Sequence, residues 1–303
     1  MDVPVTASTD GLFNEQRRPY VYGDLTWEEL DAAAQRQPVV VLPVGSMEQH
    51  GPHLPLDTDI YPVSHWCLEA ARRAPDDILL MATIPYGYNI HATDFPGTIH
   101  VEHDTFINYC TDVCRSVAYH GFKRIVLVNG HGSNSSPLDL VARRVVMETG
   151  AACATLLWIS LGAEAFRPLR ESTYPGGCSH ACEAETSAYL YLNPQKVQMD
   201  KAEDHLRTNM DEFYNVDLFG SGPVKLGYWT SADSPRGAIG QPSLATAEKG
   251  RALYDSSVER FVDFVRRFRN SPLPQRREHH SIPEAERRVE AFLPPVGGSD
   301  AES

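Results

Sequence analysis

The run that decides the reading of this chain is Val39-Val-Val-Leu42, followed at once by Gly45-Ser-Met-Glu-Gln-His-Gly-Pro-His-Leu-Pro-Leu-Asp-Thr-Asp59. Its first part is continuous, β-branched and apolar, which predicts a strand buried on both faces of a parallel sheet. Its second part crowds Glu48, His50, His53, Asp57 and Asp59 into fifteen residues at the end of that strand. Imidazoles and carboxylates together suit a divalent metal ion. The Gly and Pro residues let the loop fold back on itself.

Working outward, apolar β-branched runs alternate with amphipathic stretches. Strands are predicted at Val39–Pro43, Leu79–Ile84, Arg124–Asn129 and Ala152–Ile159. Helices are predicted over Thr26–Gln35, Asp59–Arg73, Thr105–His120, Ser136–Thr149, His180–Leu192 and Ala245–Phe268. The alternation gives an α/β fold with a mainly parallel sheet and crossover helices. Asp24 and Thr26 both suit the N-cap of the first helix. The last helix carries Leu253, Val258, Phe261, Val262 and Val265 at helical spacing, a packing stripe.

Two further segments hold ligand-type residues, Asn129-Gly-His-Gly-Ser-Asn134 and Ser179-His-Ala-Cys-Glu-Ala-Glu-Thr-Ser187. Both Glu48 and His131 follow the C-terminal end of a predicted strand, the edge where ligands gather in open α/β sheets. Glu48 and His50 are two apart, so in extended backbone they leave the same side. Asp59 opens the next helix, from where it could bridge two ions or simply cap the helix. Glu183 comes three residues after His180, which places both on one face of a predicted helical turn. Singly, each residue has a plainer reading. Glu48 could be a solvated acid, His50 and His53 could pack on the prolines, and Glu183 could answer a helix dipole. Jointly they supply a set of about six ligands, one carboxylate bridging, as a binuclear centre requires.

The bulk properties exclude several classes. The 303 residues are 42% hydrophobic and 22% charged, ordinary for a globular protein. The net charge of −13 is spread along the chain and argues against nucleic acid or anionic membrane as partner. No apolar run is long enough to span a membrane. The polar stretch from Met1 to Tyr22 lacks a signal-peptide core, so a cytoplasmic protein is expected. Six scattered cysteines read as reduced thiols. Cys178 and Cys182 have only His180 near them, too few ligands for a structural zinc. Residues 214–243 form a Gly-, Pro- and Ser-rich stretch, expected to be functional or to meet another subunit. Residues 271–303, with Arg276-Arg277 and His279-His280, read as a Pro/Arg-rich arm or disordered tail outside the site.

The same motifs carry a family resemblance. Gly45-Ser-x-Glu-Gln-His-Gly-Pro-His-Leu-Pro-Leu-x-Thr-Asp59, Asn129-Gly-His-Gly-x-Asn134 and His180-Ala-x-Glu-x-Glu-Thr-Ser187 together resemble the creatininase (creatinine amidohydrolase) family. Phe95-Pro-Gly-Thr98 and Gly237-Ala-Ile-Gly-Gln-Pro242 extend the match from about Tyr20 to Arg267. The resemblance implies a three-layer α/β/α sandwich over residues 1–270, assembled as a homohexamer. It implies two divalent ions per chain, zinc first, with manganese or iron as alternatives. Glu48, Asp59 and His131 resemble the ligands of one ion, and His50, Asp59 and Glu183 those of the other. His180 resembles the catalytic histidine. Creatininases have a glutamate where this chain has Ser133 and a tryptophan where it has Gly176, and Cys182 replaces a usual glycine. Those departures point to a non-creatinine branch, such as those containing a formamidopyrimidine deformylase or a mycofactocin-precursor peptidase.

The expected chemistry is hydrolysis of a C–N amide bond in a small molecule, a cyclic amide, lactam or formamide among the candidates. A water activated between the ions attacks the carbonyl, and His180 passes a proton to the departing nitrogen. Asn134 and Glu185 are expected to orient ligands. His91, Tyr174 and Trp229 are the named candidates for substrate contact, beside Tyr86, Tyr88, Phe95 and Trp158. The rival readings are a metal-containing small-molecule binding protein without turnover and a peptidase acting on a short modified peptide. A phosphoester hydrolase is a further rival, disfavoured by the lack of a basic cluster near the motifs.

Overall fold

The structure is a computed structural model and describes residues 17–273, 275–277 and 279–283. The expected arm at 271–303 therefore lies largely outside the described residues. A four-stranded parallel sheet in the order β2-β1-β3-β4 forms the centre, with β1 at Val39–Val44, β2 at Ile78–Leu80, β3 at Arg124–Asn129 and β4 at Ala152–Leu157. Val40 pairs with Ile125 and Val41 with Leu80, and every residue of β1 is buried. That burial on both faces is what the unbroken apolar run required.

Successive side chains of β1 go to opposite faces. Val39 and Val41 join one core with Trp66, Val128, Leu253 and Phe261. Val40, Leu42 and Val44 join the other with Phe106, Cys110, Leu127 and Val141. The first face is covered by α2 (Tyr61–Arg73), α6 (Glu183–Leu192) and α8 (Ala247–Asn270). The second is covered by α3 (His103–Tyr119) and α4 (Ser135–Thr149), with α1 (Trp27–Arg36) contributing Ala33 and Ala34. The result is the three-layer α/β/α sandwich.

Boundaries depart from expectation where local chemistry intervenes. Thr26, not Asp24, caps α1, through a reciprocal box with Glu29, while Asp24 is held by Arg18. β2 ends at Leu80, although Ile84 still bridges Val44. β4 gives way at Trp158 to a tight 3-10 turn. α2 starts at Tyr61 with Pro62 in its first turn, so Asp59 lies ahead of the helix rather than in it. A short antiparallel pair, β5 (Cys178–His180) and β6 (Ile239–Gly240), stands beside the sheet. Two single-turn helices, α5 (Ala163–Phe166) and α7 (Thr230–Asp233), and several 3-10 turns complete the elements among the described residues.

Candidate metal centre

Two glycines decide where Asp59 sits. Gly45 follows β1 and Gly130 follows β3, and a Cβ on either would lie 2.7 Å and 2.1 Å from the Asp59 carbonyl oxygen. The bare backbones of the two central strand ends thus admit the Asp59 peptide between them. From there its carboxylate meets Glu48 from the β1 loop and His131 from the β3 loop.

His131 Nδ1 is 3.1 Å from Glu48 Oε2 and 2.9 Å from Asp59 Oδ2, while its Nε2–H donates to the Tyr88 carbonyl at 3.2 Å. His50 Nδ1–H donates to the Glu48 carbonyl at 3.1 Å, leaving Nε2 3.3 Å from Asp59 Oδ1. Each ring thus anchors one nitrogen on backbone and aims the other at buried carboxylate oxygens, the arrangement by which ligating histidines are oriented. Among the described residues, Glu48 Oε2, His50 Nε2 and Asp59 Oδ2 are buried without a hydrogen-bond partner. Nitrogen lone pairs facing carboxylates at these distances need a cation between them, a proton or a metal ion.

The electrostatics agree. Burial works against charge on both partners, yet the Glu48 carboxyl is held down to about 2 because His180 and His131 outweigh that cost. Burial likewise disfavours protonated His50, but Asp59 overcomes it and lifts the imidazole to about 9. His131 is raised well above its ordinary value for the same reason, with Glu48 and Asp59 outweighing burial. Without a metal the cluster keeps protons on its imidazoles. Burial drives His180 the other way, to about 4, so it is neutral near pH 7.

Among the described residues, three groups of donors come close enough to hold an ion, all atoms within a group lying within 4.8 Å of one another: Glu48, Asp59 and His131; His50, Asp59 and Glu185; and Glu48, His50 and His180. Asp59 belongs to the first two. Glu183 belongs to none, and this corrects the expectation for it as ligand and catalytic group. Its carboxylate turns away to Lys249 Nζ of α8 at 2.6 Å and accepts the Glu171 and Ser172 backbone N–H groups. The cause is local. Ala181 takes a left-handed φ of 48° between β5 and α6, so His180 ends a strand and shares no helical turn with Glu183. At 100° per residue, side chains two apart on α6 diverge, and Glu185 is the one that faces the sheet edge. Cys182, standing where a glycine was expected, caps α6, its thiol and N–H both engaged with Glu185.

Of the supporting residues, Asn134 is fully buried, donates to the Gly45 carbonyl at 3.0 Å and accepts the Tyr88 N–H at 3.0 Å. It ties the β1 loop to the segment whose carbonyl orients His131. His53 lies off the cluster, with Nε2 2.9 Å from Thr186 Oγ1. His180 Nε2–H donates to the Gln49 carbonyl at 2.8 Å. A cavity of about 550 Å³ opens over Glu48, Asp59, His131, His180 and Glu185.

The creatinine amidohydrolase (creatininase) family model matches residues 23–265. The creatinine amidohydrolase of Pseudomonas putida is 30% identical over 260 residues, 80% of this chain and 95% of the relative. The mycofactocin precursor peptide peptidase of Mycobacterium tuberculosis is 30% identical over 264 residues, 84% of this chain and 96% of the relative. A solved creatininase mutant in its Zn-Zn form superposes with a TM-score of 0.69 at 27% identity, covering 83% of this chain and 99% of that one. The chain belongs to the creatininase family. It is accordingly a metal-dependent hydrolase, and its buried N/O donor set fits divalent ions of the zinc or manganese type.

Within this creatininase-family fold, the cavity wall differs from expectation. His91 does line it, with Nε2 3.7 Å from Glu48 Oε1 and 3.2 Å from Ser133 Oγ, the serine that replaces the creatininase glutamate. Tyr174 and Trp229 do not. Tyr174 is exposed behind the 214–221 segment, its hydroxyl against Gly220, and Trp229 points to solvent. Their places on the wall are taken by Tyr214 and Tyr228, which sequence reading missed. Both are held by buried Arg207, which donates to the Tyr214 hydroxyl at 2.7 Å and stacks 4.0 Å over the Tyr228 ring. The only sequence signal was the Gly- and Pro-rich stretch containing them. Trp158, Phe95, Tyr86 and Tyr88 side chains are also absent from the cavity lining.

Proposed function

We propose that the chain is a binuclear amidohydrolase that cleaves the C–N bond of a small amide, cyclic amide or formamide. The observation that carries this reading is the shared Asp59, within reach of both Glu48–His131 and His50–Glu185. Glu48, Asp59 and His131 would hold one ion, and His50, Asp59 and Glu185 the other. A bound pair of divalent ions lowers the pKa of water toward neutrality and polarises a carbonyl oxygen.

The chain's own residues supply the rest. His180, neutral near pH 7 because it is buried, takes the proton of the attacking water and returns it to the departing nitrogen. The Gln49 carbonyl keeps its ring in place. His91, Tyr214 and Tyr228 shape the wall and restrict water. Relatives that bear the names of a creatinine amidohydrolase and a precursor-peptide peptidase support C–N chemistry without fixing the substrate. Ser133 and Gly176 replace side chains of the creatinine enzymes, which favours an amide other than creatinine. The six cysteines are all free thiols, consistent with a cytoplasmic setting. Among the described residues no helix is long and apolar enough to cross a membrane. Exposed Tyr109, Tyr119, Leu140 and Met147 on α3 and α4 favour an oligomer, the hexamer of the resemblance.

The test is elemental analysis of wild type, Asp59→Ala and His180→Ala, beside an amide and lactam screen. We expect about two ions per wild-type chain, their loss in Asp59→Ala, and full metal with turnover reduced roughly a hundredfold or more in His180→Ala. One ion that survives Asp59→Ala would refute the shared carboxylate. Metal without turnover across the screen would favour a binding protein.

A further inference from the structure

Resting on the amidohydrolase reading, the charges that line the cavity identify a property of the substrate. Glu48, Asp59 and Glu185 belong to the candidate metal groups. Asp217, the fourth lining carboxylate, is gripped in bidentate fashion by Arg170 at 2.9 and 2.7 Å and also accepts the Gly176 N–H at 2.8 Å. Among the described residues Lys225 is the only lysine or arginine in the lining, and there it has no ion-pair partner. Every other lining charge has a counter-charge assigned to it. Lys225 alone does not.

Lys225 lines the cavity while its own side chain is exposed, and the order of its surroundings comes from its neighbours. The backbone just before it is paired, Val224 N–H with the Phe213 carbonyl at 2.9 Å and Gly222 N–H with the Asn215 carbonyl at 3.0 Å. Just after it, Tyr228 lies against the Arg207 guanidinium, and Arg207 is itself bound to Tyr214 and to Asp233 at 2.7 Å. The strap bearing Lys225 is therefore fixed on both sides of that residue. The hydroxyls of Ser133, Ser136, Ser179 and Thr230 line the same cavity. Its volume of about 550 Å³ exceeds what a bare five-membered lactam fills.

We propose that Lys225 is a specificity-determining residue that pairs with an anionic group, carboxylate or phosphate, carried by the amide substrate away from its scissile bond. In a protein of net charge −13 such a cation also offsets the repulsion an anionic substrate would meet on approach.

The experiment measures binding and turnover separately on the metal-loaded protein. Its probes are N-formylglycine, its neutral N-methylamide, and N-formylaminoethyl phosphate. Affinities are taken by calorimetry for wild type, Lys225→Ala, Lys225→Arg and, as a control outside the cavity, Lys123→Ala. The expected result is a preference of roughly tenfold for an anionic probe over the neutral one in wild type, Lys225→Arg and Lys123→Ala, absent in Lys225→Ala. Whichever anionic probe shows the larger effect identifies the group. Equal affinity for neutral and anionic probes in wild type overturns the proposal, as does failure to bind any probe. A preference that persists in Lys225→Ala also overturns it, because the metals would then be reading the anion. If the Lys225-dependent preference stands while neither a probe nor any member of the amide and lactam screen is hydrolysed, the amidohydrolase reading fails and this assignment survives.

Discussion

At the scale of single residues, Glu183 and Glu185 show how two identical side chains two positions apart can have opposite duties. Glu185 joins His50 and Asp59, and burial pushes its carboxyl up to about 7 in the metal-free chain. Glu183 is fully buried against Lys249, so its duty is to hold α6 on α8. The paired substitutions separate these roles. Glu185→Gln should weaken binding of one ion by tenfold or more while costing little stability. Glu183→Gln should keep both ions and cost about 3 kcal/mol, the scale for breaking a buried ion pair. Metal titration and urea unfolding of both variants would check this, and loss of metal in Glu183→Gln alone would reverse the assignment. The motif itself was legible because Glu48, His50, Asp59, His131 and His180 fall in segments whose composition has little other use. The choice between the two glutamates was not, since it hangs on Ala181 leaving the helical region and on a lysine more than sixty residues downstream.

At the scale of elements, the site is assembled by strand ends rather than by helices. Gly45 and Gly130 close on the Asp59 carbonyl, so the β1 end, the β3 end and the approach to α2 form one joint. Gly130→Ala puts a methyl carbon where no atom fits, and it should cost about 3 kcal/mol and weaken the binding of both ions, which share Asp59. Gly132→Ala, whose Cβ meets nothing within 4 Å, is the control and should change neither. Thermal melts with metal counts would decide; an unaffected Gly130→Ala would mean the joint yields easily. Strands and long helices were readable because burial on two faces or one stripe leaves a period in the sequence. The wall formed by Tyr214 and Tyr228 has no period, and its placement depends on Arg207 binding two residues that lie fourteen apart. Tyr174, a candidate for the wall, meets Gly220 yet is exposed and absent from the cavity lining, a placement that no local pattern announces.

At the scale of the whole molecule, the metal-free and metal-loaded proteins should respond differently to pH. His50 is raised from 6.5 to about 9, so its contribution is full below 6.5 and is lost as pH rises through 9. Glu185, raised from 4.5 to about 7, adds a loss of the same sign as pH rises through 7. On the acid side, Glu48 at about 2 and His53, pushed by burial to about 4, favour the fold at neutral pH and lose that contribution as pH falls. The metal-free protein should therefore melt several degrees lower at pH 9.5 than at pH 7. Bound ions replace the protons between nitrogen and carboxylate, so the loaded protein should show a much flatter alkaline limb. Calorimetry of the two forms across that range tests the sign, and parallel curves would remove the cluster as the cause. The three-layer architecture that carries all this was the most legible level, since each face of β1 declares its own core.

The backbone tethers on His50 and His131 bear on how the protein acquires its metals. Both rings are already turned, each with one nitrogen committed to a carbonyl and the other facing the carboxylates. An arriving ion has no side-chain search to wait for. What remains is to expel a proton and to shed the ion's own water, so the rate of loading should follow the lability of that hydration shell and the acidity of the medium.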